Sequence, residues 1–239
     1  MTGTIINTIA IIIGGAIGMF FGGRIPERFK STAMAGMGLF TGAIGMQMFL
    51  ETQNPLIVLG ALLIGALLGE WARIEDRMHS IGAFLERRIA HDDTEEGSDR
   101  FIRGFLTASI LFCTGPMAIL GSIQDGLTGD FSLLAVKSAL DGFISIAFAS
   151  TLGLGVLFSS LMILLYQGGI SLLAIQLNAF VTEPMIAEMT ATGGVILMGL
   201  AVSSFLEVKK IRTGNFIPAL FVAPLIVWVL SLPIFSTGW

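Results

Sequence analysis

Residues 113–142 read C-T-G-P-M-A-I-L-G-S-I-Q-D-G-L-T-G-D-F-S-L-L-A-V-K-S-A-L-D-G. The stretch starts inside an apolar run and is interrupted by Gly115-Pro116. It turns through Gln124-Asp125-Gly126 and re-enters an apolar run carrying Lys137 and Asp141. Lipid offers backbone groups no hydrogen bonds, so a helix break or a charge at membrane depth is costly and marks a site with a role. The stretch predicts a chain that crosses a membrane, breaks its helix on the way and returns.

The composition agrees. The 239 residues are 54% hydrophobic and 13% charged, with a mean hydropathy of +0.86. A soluble domain carries about 25% charge. Thirty glycines and eighteen phenylalanines suit helices packed in lipid, where small residues let backbones approach. Cys113 is the single cysteine, so neither an internal disulfide nor a cysteine-rich metal site is available. No basic residue precedes the first apolar run. That run is therefore expected to be kept as a span with its N-terminus outside, rather than cleaved as a signal peptide.

A span needs roughly 20 apolar residues. Eight candidates emerge, at 4–21, 32–50, 55–71, 101–123, 138–154, 155–177, 192–206 and 215–235. The fifth and sixth share one run, with Gly153-Leu154-Gly155 as the expected turn. Alternation then places the turns after spans 1, 3 and 7 on one side. They hold Arg24, Arg28, Lys30, Arg73, Arg77, Arg87, Arg88, Arg100, Arg103, Lys209, Lys210 and Arg212, all of the thirteen Lys and Arg except Lys137. The positive-inside rule makes that side cytoplasmic and both termini external. The expected fold is all-α: a polytopic transmembrane helical bundle of about eight spans, N-out/C-out, forming a single domain over 1–239.

Residues 72–100 are the one expected soluble piece. Trp71, Ile74, Met78, Ile81, Leu85 and Ile89 recur at helical spacing, predicting a cytoplasmic amphipathic helix that continues span 3 or lies on the membrane. The polar, acidic run from His91 to Arg100 reads as a solvated linker. Two hairpin starts resemble each other, Arg24-Ile25-Pro26-Glu27-Arg28 and Arg73-Ile74-Glu75-Asp76-Arg77, in a parallel rather than inverted sense.

Small and polar residues form stripes on three spans. Thr107, Thr114, Ala118, Gly121 and Asp125 share a face of span 4. Ser138, Asp141, Ser145 and Ala149 share one of span 5, and Ser160, Gln167, Ser171, Ala174 and Asn178 one of span 6. Packing alone accounts for the serines and alanines. Asp141, Gln167 and the Thr114-Gly115-Pro116 break ask for more. Pro116 removes an amide donor and frees the Phe112 carbonyl. A freed carbonyl, a threonine hydroxyl and a carboxylate together suit a hard cation or a proton. Lys137 lies four residues before Asp141, so the two can instead pair as a structural ion pair. Span 2 carries Gly36, Gly38, Gly42 and Gly45 as a packing face or a glycine-lined conduit. Glu183-Pro184 sits in a segment, 178–191, expected to lie on the surface or re-enter. Pro218 and Pro224 predict kinks in span 8, with Asn215 capping its start. The sequence has no P-loop, no H-E-x-x-H and no G-x-S-x-G. No enzyme, cofactor, bound metal or nucleic-acid partner is expected.

The combination T-G-P-M-A-I-L-G-S-I-Q-D-G-L-T-G-D with K-S-A-L-D-G-F resembles the signature of a bacterial family of uncharacterised membrane proteins, the YqgA/YdfK type. Tyr166-Gln167-Gly168, the run from Glu188 to Gly194 and the run from Lys210 to Leu220 are similar to further parts of it, so the likeness covers nearly the whole chain. The resemblance implies a multi-pass protein of the bacterial inner membrane and supplies no reaction.

Two functions follow as expectations. The first is a small-solute or ion transporter or channel with its pathway between spans 4, 5 and 6. Asp141 is its protonatable or cation-binding group, and Thr114, Gly115, Pro116 and Gln167 complete the site. Gln124 and Asp125 form its outer mouth. The alternative is a non-transporting scaffold or signalling protein that acts through the cytoplasmic helix. Membrane lipids are the expected partners in both, with a homo-oligomer open.

Overall fold

A computed structural model describes residues 1–22, 26–89 and 95–232. Arg24, His91, Asp92, Asp93 and Phe235 lie outside the described residues, as do the side chains of Arg87 and Arg88. Among the described residues the structure is helical, without strands: α1 (Thr2–Gly22), α2 (Glu27–Phe49), α3 (Pro55–Trp71), α4 (Ile74–Ile89), α5 (Glu95–Thr114), α6 (Pro116–Thr128), α7 (Ser132–Leu152), α8 (Gly155–Leu172), α9 (Ala174–Asn178), α10 (Glu183–Leu200) and α11 (Ala219–Leu230). A π-helical turn over Ala201–Phe205 extends α10, and a 3-10 turn over Thr213–Phe216 precedes α11.

Five of these segments are long and apolar enough to cross a membrane: α1, α7, α8, α10 with its π turn, and the 3-10 turn with α11. Two pairs separated by a short break also qualify, α3 with the start of α4 and α5 with α6, which raises the number to seven. The expected span at 32–50 corresponds to α2, which is 23 residues long but diluted by Gly36, Gly38, Gly42, Gly45 and Gln47.

Local chemistry explains the helix boundaries. Asn54 caps α3, its side chain accepting from the Leu56 N–H at 3.1 Å, and Pro55 opens the first turn. Gly115 is extended (φ −79°, ψ 146°), so α5 stops and α6 starts at Pro116 with a 64° change of direction. Span 4 is thus broken where the sequence places the break, whereas α7 runs unbroken through Lys137 and Asp141. Gly129 (φ 73°) and Gly153 (φ 76°) take the left-handed half of the φ range that ends α6 and α7.

Four expectations change. Gln124-Asp125-Gly126 is not a turn but part of α6, because the left-handed residue that stops the helix is Gly129. The segment 178–191 is not a separate surface piece beyond its first residues, since α10 begins at Glu183 with Pro184 in its first turn. Pro218 does not kink a helix but stands at the start of α11, leaving Pro224 as the one inside it. Asn215 does not cap its own helix, since its Oδ1 accepts from the Glu75 N–H at 2.8 Å, at the start of α4.

The chain divides into two compact units. The first comprises Met1–Gly36 and Arg77–Ala179, the second Met37–Asp76 and Phe180–Trp239. In the first, α1 lies on α7 almost backbone to backbone. A Cβ added to Gly14 would stand 2.1 Å from the Gly142 carbonyl oxygen, one on Gly18 2.2 Å from that of Ile146, and one on Gly22 2.6 Å from that of Ser150. The partners advance in the same order along both helices, so α1 and α7 run parallel. Phe101, Ile102 and Phe105 of α5 form a buried cluster joined by Ala83 of α4 and by Leu154, Phe158 and Met162 at α8. In the second unit, Gly69 of α3 meets the Asn215 carbonyl at 1.9 Å from an added Cβ, and Gly45 and Gly194 each close on the other's carbonyl. The expected glycine face of α2 therefore serves packing at Gly38 and Gly45, while nothing lies within 4 Å at Gly36.

Gly14→Ala and Gly18→Ala are expected to cost about 1–3 kcal/mol each, as overpacking does. Gly36→Ala, in open space, should be neutral or mildly stabilising. Thermal unfolding of the detergent-solubilised variants reads the difference, and unchanged melting of both α1 variants contradicts the packing described.

Candidate functional site

The first unit buries a polar cluster between α1, α7 and α8. Asp141 is 5% exposed and Lys137 5%, while Asn7 and Gln167 are fully buried. Lys137 and Asp141 stand one turn apart on α7 and form an ion pair through Asp141 Oδ2. The same oxygen accepts from Asn7 Nδ2 at 2.9 Å, and Asn7 Nδ2 also donates to Gln167 Oε1 at 3.3 Å. Lys137 Nζ lies 5.8 Å from the centre of the Phe112 ring, so the ammonium is held between a carboxylate and an aromatic face. Phe112 stacks in turn on Phe148 at 6.5 Å. One carboxylate oxygen thus serves both an ammonium and an amide, in buried surroundings.

The sequence-predicted residues divide into three groups. Asp141 and Gln167 meet, bridged by Asn7. The Thr114-Gly115-Pro116 break begins two residues after Phe112, whose ring carries the Lys137 ammonium. Thr114, however, donates its hydroxyl to the Ile110 carbonyl of its own helix, and Gly115 faces open space, with nothing within 4 Å of an added Cβ. Gln124 and Asp125 part company. Gln124 donates to Asp130 at 2.8 Å on the exposed turn. The Ser132 hydroxyl and N–H, followed by Gln124, hold the Asp130 carboxyl below its usual range. Asp125 is 2% exposed, accepting from the Gly3 N–H at 3.0 Å and pairing with the Met1 ammonium at 3.0 Å. It is a buried anion at the start of α1, where the helix dipole favours it, rather than a carboxylate lining an open mouth.

Asn7 is the residue the sequence reading passed over, and α1 is the helix missing from the expected pathway. The signal was present: Asn7 is the one amide in a run that is otherwise apolar, Gly or Thr.

The second unit holds its own carboxylates. Glu188, 1% exposed, accepts from the Thr52 hydroxyl at 2.6 Å and from the N–H groups of Gln53 at 2.8 Å and Asn54 at 2.9 Å. It is saturated and acts as a cap for the approach to α3. Glu70 accepts from Asn215 Nδ2 at 2.5 Å and from Arg212 at 2.8 Å, and Glu75 accepts from the Gly214 N–H at 2.9 Å. These bonds tie the end of α3 and the start of α4 to the 3-10 turn.

Long apolar helices, glycine contacts at their crossings and polar side chains turned inward define a helical membrane protein that crosses the bilayer several times. The chain belongs to the family described as "Protein of unknown function (DUF554)", whose model matches residues 2–228. It is 32% identical over 235 residues to "Uncharacterized membrane protein YdfK" of Bacillus subtilis (strain 168), covering 96% of this chain and 97% of that protein. It is also 32% identical over 224 residues to "Uncharacterized protein YqgA" of Escherichia coli (strain K12), covering 92% and 94%. No solved structure matches the chain.

Lys137→Met leaves Asp141 with Asn7 alone and is expected to destabilise by about 3–5 kcal/mol, whereas Lys137→Met combined with Asp141→Leu should recover most of that loss. Denaturant unfolding in mixed micelles tests it. Equal loss in the single and double variants contradicts a buried ion pair.

Proposed function

We propose that the chain is a small-solute or ion transporter or channel of the bacterial inner membrane, with its pathway in the first unit and its ion dependence at Asp141. The observation that carries this reading is the Asn7–Asp141–Lys137–Gln167 cluster: a carboxylate, an ammonium and two amides placed together at membrane depth. A scaffold gains nothing from burying such groups, since well-packed apolar residues do the same work at no electrostatic cost. Lys137 cancels the charge of Asp141, so the resting cluster is neutral. A metal cation would have to displace the tethered ammonium from Asp141 Oδ2. The coupling ion favoured by this arrangement is therefore the proton. The chain is read as a carrier or conduit and not as an enzyme.

The parallel packing of α1 and α7 supports eight spans. Two parallel crossings require an odd number of crossings between them. α3 and the bent α5–α6 pair supply two, and α2 makes the third. The spans are then α1, α2, α3, α5–α6, α7, α8, α10 and α11. The basic turns put both termini outside.

Two experiments test these points. Purified protein in liposomes, given a proton gradient and then a sodium gradient, should carry flux above empty liposomes, and Asp141→Asn should abolish the ion dependence with expression intact. Equal flux in the variant removes Asp141 from the mechanism. Absence of any flux shifts the weight to the scaffold reading through α4. Reporter fusions after Gln53 and after Asp130 should read external, and those after Arg77 and Lys210 cytoplasmic; a fusion after Gln53 reading cytoplasmic rules out the eight-span arrangement.

A further inference from the structure

Several polar atoms in the first unit are buried without a hydrogen-bond partner, and they lie in a particular order. Thr4 Oγ1 and Asn7 Oδ1 are on α1, Ser145 Oγ on α7, Gln167 Nε2 on α8 and Asp125 Oδ1 on α6. All five residues are at most 2% exposed. A buried polar atom left unpaired is costly, so a cluster of them demands a partner. Exchanging the amide ends does not supply one. Turning Asn7 sets its oxygen against the Asp141 carboxylate, and turning Gln167 sets its NH2 against that of Asn7.

The atoms follow the first two turns of α1. Asp125 receives the Gly3 N–H, Thr4 is next, and Asn7 lies one turn further, against Asp141 and Gln167. An added Cβ on Gly168 would stand 4.0 Å from Thr4 Cγ2, so α8 passes that point closely. Ser145, one turn beyond Asp141 on the same face of α7, lies level with Gly14 to Gly18 and so belongs to the sealed half. Past Asn7 the character of α1 changes. Ile11 is fully buried and apolar, and from Gly14 to Gly22 the helix is sealed on the α7 carbonyls.

We infer that Thr4, Asn7 and Gln167 form a binding pocket for water or another small uncharged molecule that both donates and accepts hydrogen bonds, entered between the first two turns of α1 and the helices α6 and α8. The occupant is uncharged because Lys137 already neutralises Asp141. It must both donate and accept, because Asn7 Oδ1 needs a donor and Gln167 Nε2 an acceptor. The glycine seal below Ile11 leaves the pocket accessible from one side of the membrane only. The inference deepens the transport reading and takes from it the assignment of that side as external.

Thiol labelling tests it on the full chain. In a Cys113→Ser background, Thr4→Cys is compared with Ile11→Cys and Ala149→Cys in the sealed half, and with exposed Thr128→Cys. A membrane-impermeant, small methanethiosulfonate reagent is added outside intact cells. Thr4→Cys should react at least about tenfold faster than the sealed pair. An inert Thr4→Cys beside a reactive Thr128→Cys overturns the pocket, as does equal reaction at Ile11→Cys. Should a variant fail to fold, amide hydrogen exchange on the unmodified protein decides: residues 5–10 should exchange faster than 11–22, and uniform protection along α1 overturns the proposal. An inert Thr4→Cys in a chain that still carries flux leaves the transport reading standing without this pocket. A reactive Thr4→Cys in a chain without flux leaves a polar pocket in a protein that does not transport.

Discussion

α1 and α7 touch through their backbones, and the arrangement of the first unit follows from that contact. Three glycines at intervals of one turn let α1 descend onto the carbonyls of Gly142, Ile146 and Ser150. At these glycines no side chain stands between the helices, so their axes are close and their register is fixed. The register is what sets Asn7 against Asp141. A shift of one turn would carry the amide past the carboxylate and leave both in hydrocarbon. Lipid gives helices little hydrophobic reason to associate, so close packing and interhelical hydrogen bonds must supply it. Here the two act at different heights of the same pair: glycines below, and the Asn7–Asp141–Gln167 bonds above.

The buried carboxylates are handled in different ways. Glu188 is surrounded by two backbone N–H groups and a hydroxyl, which stabilise its anion without any mobile partner. Asp125 meets the amide end of α1 with one oxygen and leaves the other unpaired. Asp141 depends on side chains alone, a long flexible Lys137 and an amide from another helix. Backbone donors cannot leave, whereas side-chain donors can rotate away. Of the three, Asp141 is the one whose surroundings can be rearranged without unfolding a helix end.

Much of the fold was legible because hydropathy reports what each helix meets on its surface. Run length located the long apolar helices, Gly115-Pro116 located the break, and Gly153 located the turn between α7 and α8. The readings that changed are those where the deciding partner is distant in the chain. Asp125 reads as a loop carboxylate until the amide end of α1, 122 residues away, is seen against it. Asn215 reads as a cap for its own helix until Glu75, 140 residues away, claims its oxygen. Asp141, Gln167 and Lys137 stood out as polar groups in apolar runs. Asn7 did not, since nothing in a periodicity says which helix a lone amide will face. Pairing is a property of the register between helices, and the sequence carries it only through the glycines that allow it.

The sequence distance between those glycines and their partners shapes how the protein is made. Gly14 enters the membrane while Gly142 is still untranslated, and at usual rates of synthesis the wait is on the order of ten seconds. Throughout that interval α1 has neither its seal nor the carboxylate that receives Asn7. An amide in hydrocarbon without a partner is expensive, so the docking of Asn7 on Asp141 has to wait for α7. α1 is made long before the helix that fixes its place, and the pair closes only once α7 has followed it.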